Sequence, residues 1–147
     1  MTIVAASLVL VMTCWVWLKN SLPDSLSSFA YVVPKWLFSI WVMLVGISLM
    51  PPLMSTIHFQ WIGFIMVLGL TCVAASPYYR EEYKILHYSG AVLCFLAALV
   101  SVALTDPNWL LIWVVYPLLV LWKPKYWVLI AEYICFLNVI LILYLNH

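Results

Sequence analysis

Long apolar runs alternate with short polar connectors along this chain of 147 residues. All six Lys and Arg residues fall in every second connector, and the connectors between them carry none. In membrane proteins, short loops with Lys and Arg stay on the cytoplasmic face. The pattern therefore predicts six crossings with both termini outside. The basic residues are, connector by connector, Lys19 and Lys35, Arg80 and Lys84, and Lys123 and Lys125.

Composition indicates an all-α fold, a polytopic membrane helix bundle. Hydrophobic residues make up 68% of the chain and charged residues 7%, whereas a soluble domain has about 25% charged residues. One crossing of a hydrocarbon core takes roughly 20 apolar residues, so the length leaves room for six or seven helices and no soluble domain. Strands of a membrane β-barrel would alternate polar and apolar residues, and these runs do not. The net charge of +1 excludes nucleic acid as the main partner.

Six spans are predicted within a single transmembrane domain that covers residues 1–147. Proline marks several limits, because it lacks a backbone N–H and restricts the residue before it. We expect Pro51 and Pro52 to end the second span, and Pro77 to end the third. The predicted spans are residues 2–18, 36–50, 59–75, 85–104, 109–122 and 126–145.

The fifth predicted span is short for a crossing. In an α-helix its residues would cover only ~21 Å, less than a hydrocarbon core of ~30 Å. Pro117 lies inside it and is expected to kink it. A re-entrant segment is the alternative, but it would bring Lys123 and Lys125 to the outer face. A crossing is therefore predicted, with Trp109 and Trp122 at its two ends as in an aromatic belt.

The first basic connector is the longest. Residues 21–33 are predicted to form a cytoplasmic interfacial helix that Ser21 caps and Pro34 ends. Leu22, Leu26, Phe29 and residues 31–33 would then lie on the membrane surface. An ordered polar loop is the alternative.

Two ionisable side chains lie within predicted spans. Glu132 is the only acidic residue well inside a span, and His87 lies near the start of the fourth span. Both spans run from inside to outside, so both side chains lie in the cytoplasmic half of the bilayer. A carboxylate in lipid costs at least ~2.5–3.5 kcal/mol. Glu132 is therefore expected to face the bundle interior or a cavity, either protonated or paired with His87 or a Tyr hydroxyl.

Small residues on two spans suggest how those spans pack. They follow His87 at helical spacing, and a similar strip beside Glu132 includes Asn138. We expect spans four and six to pack together and His87 and Glu132 to meet or share a cavity. His87, Glu132 and Asn138 thus form a candidate intramembrane polar site. The alternative is that the strips only pack and the pair is a buried bridge. The strips are Gly90, Ala91, Cys94, Ala98 and Ser101, and Ala131, Cys135 and Asn138.

Two stretches resemble motifs of a family of small bacterial six-span integral membrane proteins that has no assigned activity. One is residues 23–27 with 29–31, followed by 36–38; the other is residues 74–77, followed by His87-Tyr88 and Gly90-Ala91. The resemblance covers about residues 19–104 and implies the fold and a bacterial inner membrane location. It also implies that the loop with Ser25 and Ser27 gathers near Pro77 and His87. A second candidate site, at the cytoplasmic face, comprises Ser25, Ser27, Arg80 and Lys84.

No cofactor or metal is predicted. His58, His87 and His147 are too far apart along the spans to converge on zinc, which needs three or four ligands. The four cysteines lie singly within spans and are interpreted as small packing residues. They are Cys14, Cys72, Cys94 and Cys135.

Three functions are left open. The first is a non-catalytic membrane protein that assembles with itself or with a membrane protein partner, in contact with membrane lipids. The second is a small transporter or proton-coupled channel that uses Glu132 and His87. The third is a lipid-active enzyme at the cytoplasmic face with His87 as its base, for which the sequence offers no activated nucleophile or metal.

Overall fold

The computed structural model describes residues 1–19, 23–56, 59–78 and 84–146. Within these ranges the chain is helical between short connectors and has no strand, so the predicted all-α fold is confirmed. Five helical stretches are long and apolar enough to cross a membrane, and Pro107–Trp122 is a shorter apolar one. The α-helices are α1 Thr2–Lys19, α2 Lys35–Thr56, α3 Gln60–Ala75, α4 Lys84–Thr105, α5 Val115–Trp122 and α6 Trp127–Leu145.

Polar contacts show which helix ends lie together. Ser39, near the start of α2, donates its hydroxyl to the carbonyl of Ala74 at the end of α3, at 2.6 Å. The backbone N–H of Leu129 in the first turn of α6 donates to the carbonyl of Asp24 in the connector before α2, at 3.1 Å. One end of the bundle, here called the basic end, therefore carries every described Lys residue. These are Lys19, Lys35, Lys84, Lys123 and Lys125; Arg80 lies outside the described residues.

Helix α2 does not end at the Pro51-Pro52 pair, so that predicted limit is wrong. The helix continues to Thr56. Proline has a helical φ, but it removes a hydrogen bond and crowds a carbonyl of the preceding turn. Neighbouring groups in membrane helices can compensate for the lost hydrogen bond. Packing favours the extension, because Pro52 and Leu53 are buried. A Cβ on Gly63 of α3 would lie only 3.1 Å from the Leu53 Cβ, so the two helices are close there.

The segment Pro107–Trp122 is not one α-helix. Pro107–Val114 is a 3₁₀ helix of eight residues, and α5 follows it with another eight. A 3₁₀ helix rises ~2.0 Å per residue and an α-helix ~1.5 Å, so the whole segment covers roughly 28 Å. The change of helix type comes two residues before Pro117, where a kink was predicted. As an α-helix throughout, this segment was expected to be too short for a crossing. With its 3₁₀ part, its length is close to the thickness of a hydrocarbon core.

This segment runs antiparallel to α6, from the far end of the bundle to the basic end. It begins at Asp106, whose carboxylate accepts from the Asn108 N–H at 3.1 Å and caps the 3₁₀ helix. Near its other end, the Tyr116 hydroxyl donates to the carbonyl of Trp127, the first residue of α6, at 3.3 Å. The six helical segments thus all run between the same two ends.

Helices α3 and α4 make the most extensive helix contact in the described part of the chain. Gly69 and Gly90 face each other there, and a Cβ on Gly69 would lie 2.6 Å from the Gly90 carbonyl oxygen. Small residues at a crossing let two backbones approach in this way. The predicted contact between spans four and six is present as a contact of α4 with α6. However, the Gly90 part of the small-residue strip packs against α3.

Helix α1 is fastened to two other helices by side-chain hydrogen bonds. The Trp41 indole N–H of α2 donates to the Leu8 carbonyl at 2.9 Å. The hydroxyl groups of Thr13 on α1 and Tyr133 on α6 form a short hydrogen bond. Both bonds satisfy polar groups inside the bundle across a helix contact, which low-dielectric surroundings favour.

Candidate functional site

A cavity of about 150 Å³ lies inside the bundle, next to Glu132. Its walls come from α1, α2, α3, α4 and α6, and from the connector between α1 and α2. Apolar side chains form nearly the whole lining; the polar side chains are Glu132, Ser27 and two thiols. Four aromatic rings contribute to the walls, those of Phe38, Trp41, Phe95 and Phe136.

Glu132 lies in the second turn of α6 and points to the connector between α1 and α2. Its Oε2 accepts the backbone N–H of Leu26 at 2.6 Å. Within the described ranges, Oε1 has no hydrogen-bond partner, and no Lys or Arg lines the cavity. Glu132 thus lines a cavity and not the lipid face, as the cost of a carboxylate in lipid predicts. One of its oxygens holds the connector, and the other remains available to a further group.

The cap segment, residues 23–33, closes the basic end of this cavity. Leu26 and Ser27 are part of the cavity wall. Phe29 is fully buried and stacks on Trp41 with ring centroids 5.9 Å apart. Ser25 is buried too, and its Oγ accepts from the Ser28 N–H at 3.1 Å. Such a bond from a Ser side chain closes the turn that precedes a short helix.

The predicted interfacial helix differs from this cap segment in two ways. Its described part contains only a five-residue 3₁₀ helix, Ser27–Tyr31, and the proposed Ser21 cap lies outside the described residues. Phe29 and Val33 are buried against the bundle, so they do not lie on the membrane surface as predicted. The physical reason is that burial next to Trp41 removes the Phe29 ring from water more completely than an interfacial position does.

His87 has a partner other than Glu132. Its Nδ1 lies 2.9 Å from the Oγ of Ser76. The Ser76 Oγ also lies 2.7 Å from the Val73 carbonyl oxygen, to which it can donate while it accepts from a protonated Nδ1. His87 is not among the residues that line the cavity. The two ionisable groups predicted to meet or share a cavity therefore have separate surroundings.

Asn138 also has its own surroundings. It is completely buried. Oriented so that both polar atoms are satisfied, its amide donates to the Trp109 carbonyl at 3.1 Å and accepts the Trp113 indole N–H at 2.8 Å. These bonds join α6 to the 3₁₀ helix Pro107–Val114. Asn138 thus positions the Pro107–Trp122 segment and does not line the Glu132 cavity.

The predicted cytoplasmic-face residues divide in a similar way. Ser25 and Ser27 are hydrogen-bonded to each other at 3.0 Å. Lys84 is exposed at the start of α4, and Arg80 lies outside the described residues. Of the described members of this set, Ser27 alone lines the cavity.

Sequence reasoning missed the group that binds Glu132 most directly. The donor is the backbone N–H of Leu26, which every residue except proline possesses. It therefore leaves no signal in the sequence. The aromatic wall was also missed, because Phe38 and Trp41 lie in an apolar run. Almost any apolar residue would fit the pattern of such a run, so these two do not stand out.

A carboxyl group beside an apolar cavity, with one oxygen that no described residue hydrogen-bonds, can bind a proton or a cation reversibly. Either one neutralises the charge that low-dielectric surroundings disfavour. In the described part of the chain, no group of three or more His, Cys, Asp or Glu residues could hold a metal ion.

No family model, curated protein or solved structure matches this chain. The resemblance of residues 19–104 to a family of small bacterial six-span membrane proteins therefore stays a prediction.

Proposed function

We propose that this protein is a non-catalytic, six-span protein of the bacterial inner membrane that works as a small proton-coupled transporter, with Glu132 as the proton-carrying residue. The observation that carries the proposal is the position of Glu132. Its carboxyl group lines a cavity inside the bundle and has one oxygen that no residue in the described part of the chain hydrogen-bonds. Carboxyl groups in this kind of position mark proton relays and ion pathways in membrane proteins.

Two observations support six crossings with both termini outside. The described Lys residues share one end of the bundle, which the positive-inside rule would make cytoplasmic. The Pro107–Trp122 segment runs between the two ends and covers roughly 28 Å, about the thickness of a hydrocarbon core. With this segment counted as a crossing, α1 begins and α6 ends on the outer side.

Single cysteines in a variant without the four native cysteines test this topology. In intact spheroplasts, a membrane-impermeant maleimide should label Asp106→Cys. It should label Lys84→Cys and Lys125→Cys only after the membrane is permeabilised. Labelling of Lys125→Cys from outside would show that Pro107–Trp122 does not cross.

The cavity favours transport over assembly. Assembly needs only outer helix faces, and it gives no reason to place a carboxyl group in an apolar interior at the cost that burial imposes. His87 has no assigned part in this transport, because it hydrogen-bonds Ser76 outside the cavity lining. Assembly with itself or a membrane protein partner, and action on membrane lipids, stay predictions.

Proton movement in liposomes tests the proposed function. Liposomes that contain the full chain and a pH-sensitive dye receive pulses of four solutes: an amine, a carboxylate, a sugar and an amino acid. We expect at least one solute to move protons in the wild-type protein, and Glu132→Gln to abolish that movement. Asp106→Asn is the matched control, since it neutralises a carboxylate at the far end and retains a capping side chain. Proton movement absent with all four solutes, or equal in Glu132→Gln, would contradict the proposal.

A further inference from the structure

The shape of the Glu132 cavity restricts what it can hold. Glu132 and Val139 both line it and lie seven positions apart on α6, which is ~10 Å along a helix. The carboxyl group is at the basic end of this length, next to Leu26 and Ser27. Toward Val139 the lining is apolar. An occupant that fits has a polar group at one end and an apolar body.

The charge of the polar group follows from what the cavity lacks. Among the described residues, no Lys or Arg belongs to the lining and no group is hydrogen-bonded to Oε1 of Glu132. Buried carboxylates in proteins are paired with a cation or fully hydrogen-bonded. The described residues provide no such partner, and a bound cation fits its place.

The walls favour an organic cation over a hydrated metal ion. Four aromatic rings line the cavity, those of Phe38, Trp41, Phe95 and Phe136. Aromatic faces attract ammonium groups through the ring quadrupole, most strongly when water is excluded. An inorganic cation would need several oxygen ligands, and among the described residues of this lining Glu132 alone has a carboxyl group.

The volume sets the size of the apolar body. A cavity of about 150 Å³ is as large as an engineered apolar cavity of ~150 Å³ that takes up benzene. A phospholipid is far larger. A single ring or a short alkyl group carrying one ammonium group matches this space.

We propose that the Glu132 cavity binds a small apolar ammonium ion, with its cationic group at Glu132 Oε1 and its apolar body among the aromatic walls. This assignment rests on the proposed function, because it names the class of the transported solute. The exchange balances: the ammonium ion takes the place of a proton on the Glu132 carboxyl group, and that proton leaves to water. No bond other than the O–H bond breaks.

Binding of two isosteric probes to the purified full chain in detergent tests the assignment. Benzylammonium and ethylbenzene have the same shape and differ in charge. We expect benzylammonium to bind about ten-fold or more tightly than ethylbenzene in calorimetric titrations. In Glu132→Gln, benzylammonium should lose that advantage while the affinity for ethylbenzene changes less than about three-fold. Asp106→Asn should bind both probes as the wild type does.

A second variant keeps the test decisive if Glu132→Gln does not fold. Ala91→Leu fills part of the cavity and leaves Glu132 in place. It should therefore weaken the binding of both probes. Equal affinity for the two probes in the wild type, or benzylammonium binding that survives Glu132→Gln or Ala91→Leu, would overturn the assignment. Binding without proton movement would instead refute transport alone, and proton movement with a different solute would refute the ammonium class alone.

Discussion

Gly69 and Gly90 touch through their backbones where α3 crosses α4. A Cβ on Gly69 would lie 2.6 Å from the Gly90 carbonyl oxygen and 2.7 Å from the Cys94 amide nitrogen. In the opposite direction, a Cβ on Gly90 would lie 2.5 Å from the Cys72 Cβ. Neither position has room for a side chain, so the two glycines set the distance between these helices.

We therefore expect Gly69→Ala to destabilise the protein by about 1–3 kcal/mol, because backbone atoms of α4 have to move to admit the methyl group. Thermal unfolding in a mild detergent, followed by tryptophan fluorescence, measures the effect. Gly90→Ala should destabilise the protein to a similar extent. The double variant should lose less stability than the sum of the two single losses, because both substitutions force the same helices apart.

Gly46→Ala is the matched control for these two variants. The atom nearest to a Cβ at Gly46 is a Leu70 or Val67 methyl group at 3.7 Å, an ordinary contact. Alanine also favours a helix over glycine by about 0.8–1.0 kcal/mol. Gly46→Ala should be neutral or slightly stabilising. A loss of stability as large as that of Gly69→Ala would show that any added methyl group disturbs the bundle.

The bonds of Asn138 predict a local effect on the Pro107–Trp122 segment. Asn138→Leu keeps the side-chain size but removes the partners of the Trp109 carbonyl and the Trp113 indole N–H. We expect a loss of about 1–2 kcal/mol, since a hydrogen bond between membrane helices is worth ~0.6 kcal/mol on average and unpaired polar groups add to the cost. Hydrogen exchange should accelerate first in Pro107–Trp122. In a Trp113→Phe background the same substitution should cost less, and equal costs would argue against this bond.

Leu26 permits a test of the cap segment through its backbone alone. Its φ of −61° suits proline, and proline lacks the N–H that Glu132 accepts. Leu26→Pro should open the cap segment at least about ten-fold more often, because hydrogen bonds to charged groups contribute about 1.5–3 kcal/mol. Chymotrypsin cleavage after the exposed Tyr31 measures the opening. Leu26→Ala keeps the N–H and serves as control; cleavage as fast in that variant would assign the effect to the lost side chain.

The separation of His87 from the cavity gives a prediction of no effect. His87→Gln should leave benzylammonium affinity and proton movement within about two-fold of the wild-type values, because additivity holds for sites that share no partner. Its thermal stability should fall, since the bond with Ser76 is altered. A loss of binding as large as that of Glu132→Gln would instead support the pairing of His87 with Glu132 that the sequence suggested.

Much of the architecture follows from hydrophobicity alone. The predicted fourth span, residues 85–104, and helix α4, Lys84–Thr105, differ by one residue at each end. A continuous apolar run of this length has one stable form in lipid, a helix that satisfies its own backbone. The high cost of a carboxylate in lipid likewise predicted that Glu132 faces the interior of the bundle.

Other features depend on contacts that connect distant parts of the chain. The limit expected at Pro51 came from a local rule, and packing of Leu53 against α3 overrides that rule. Trp109 was interpreted as an interfacial anchor, whereas its carbonyl accepts from Asn138 of α6. The Leu26–Glu132 bond joins residues 106 positions apart, and its donor is a backbone group. Periodicity and composition predict which face of a helix is buried. They do not predict which group of another segment packs against that face.

The 3₁₀ helix Pro107–Val114 makes its segment longer than an α-helix with the same number of residues would be. Its eight residues would shorten by ~4 Å on becoming an α-helix, through the exchange of one hydrogen-bond register for another. Bilayers of different cellular membranes differ in thickness by a few ångströms, and a rigid helix adapts to this by tilting. Trp109 and Trp113 both lie within this 3₁₀ helix, so a change of its length would cost the segment at least one of its two hydrogen bonds with Asn138.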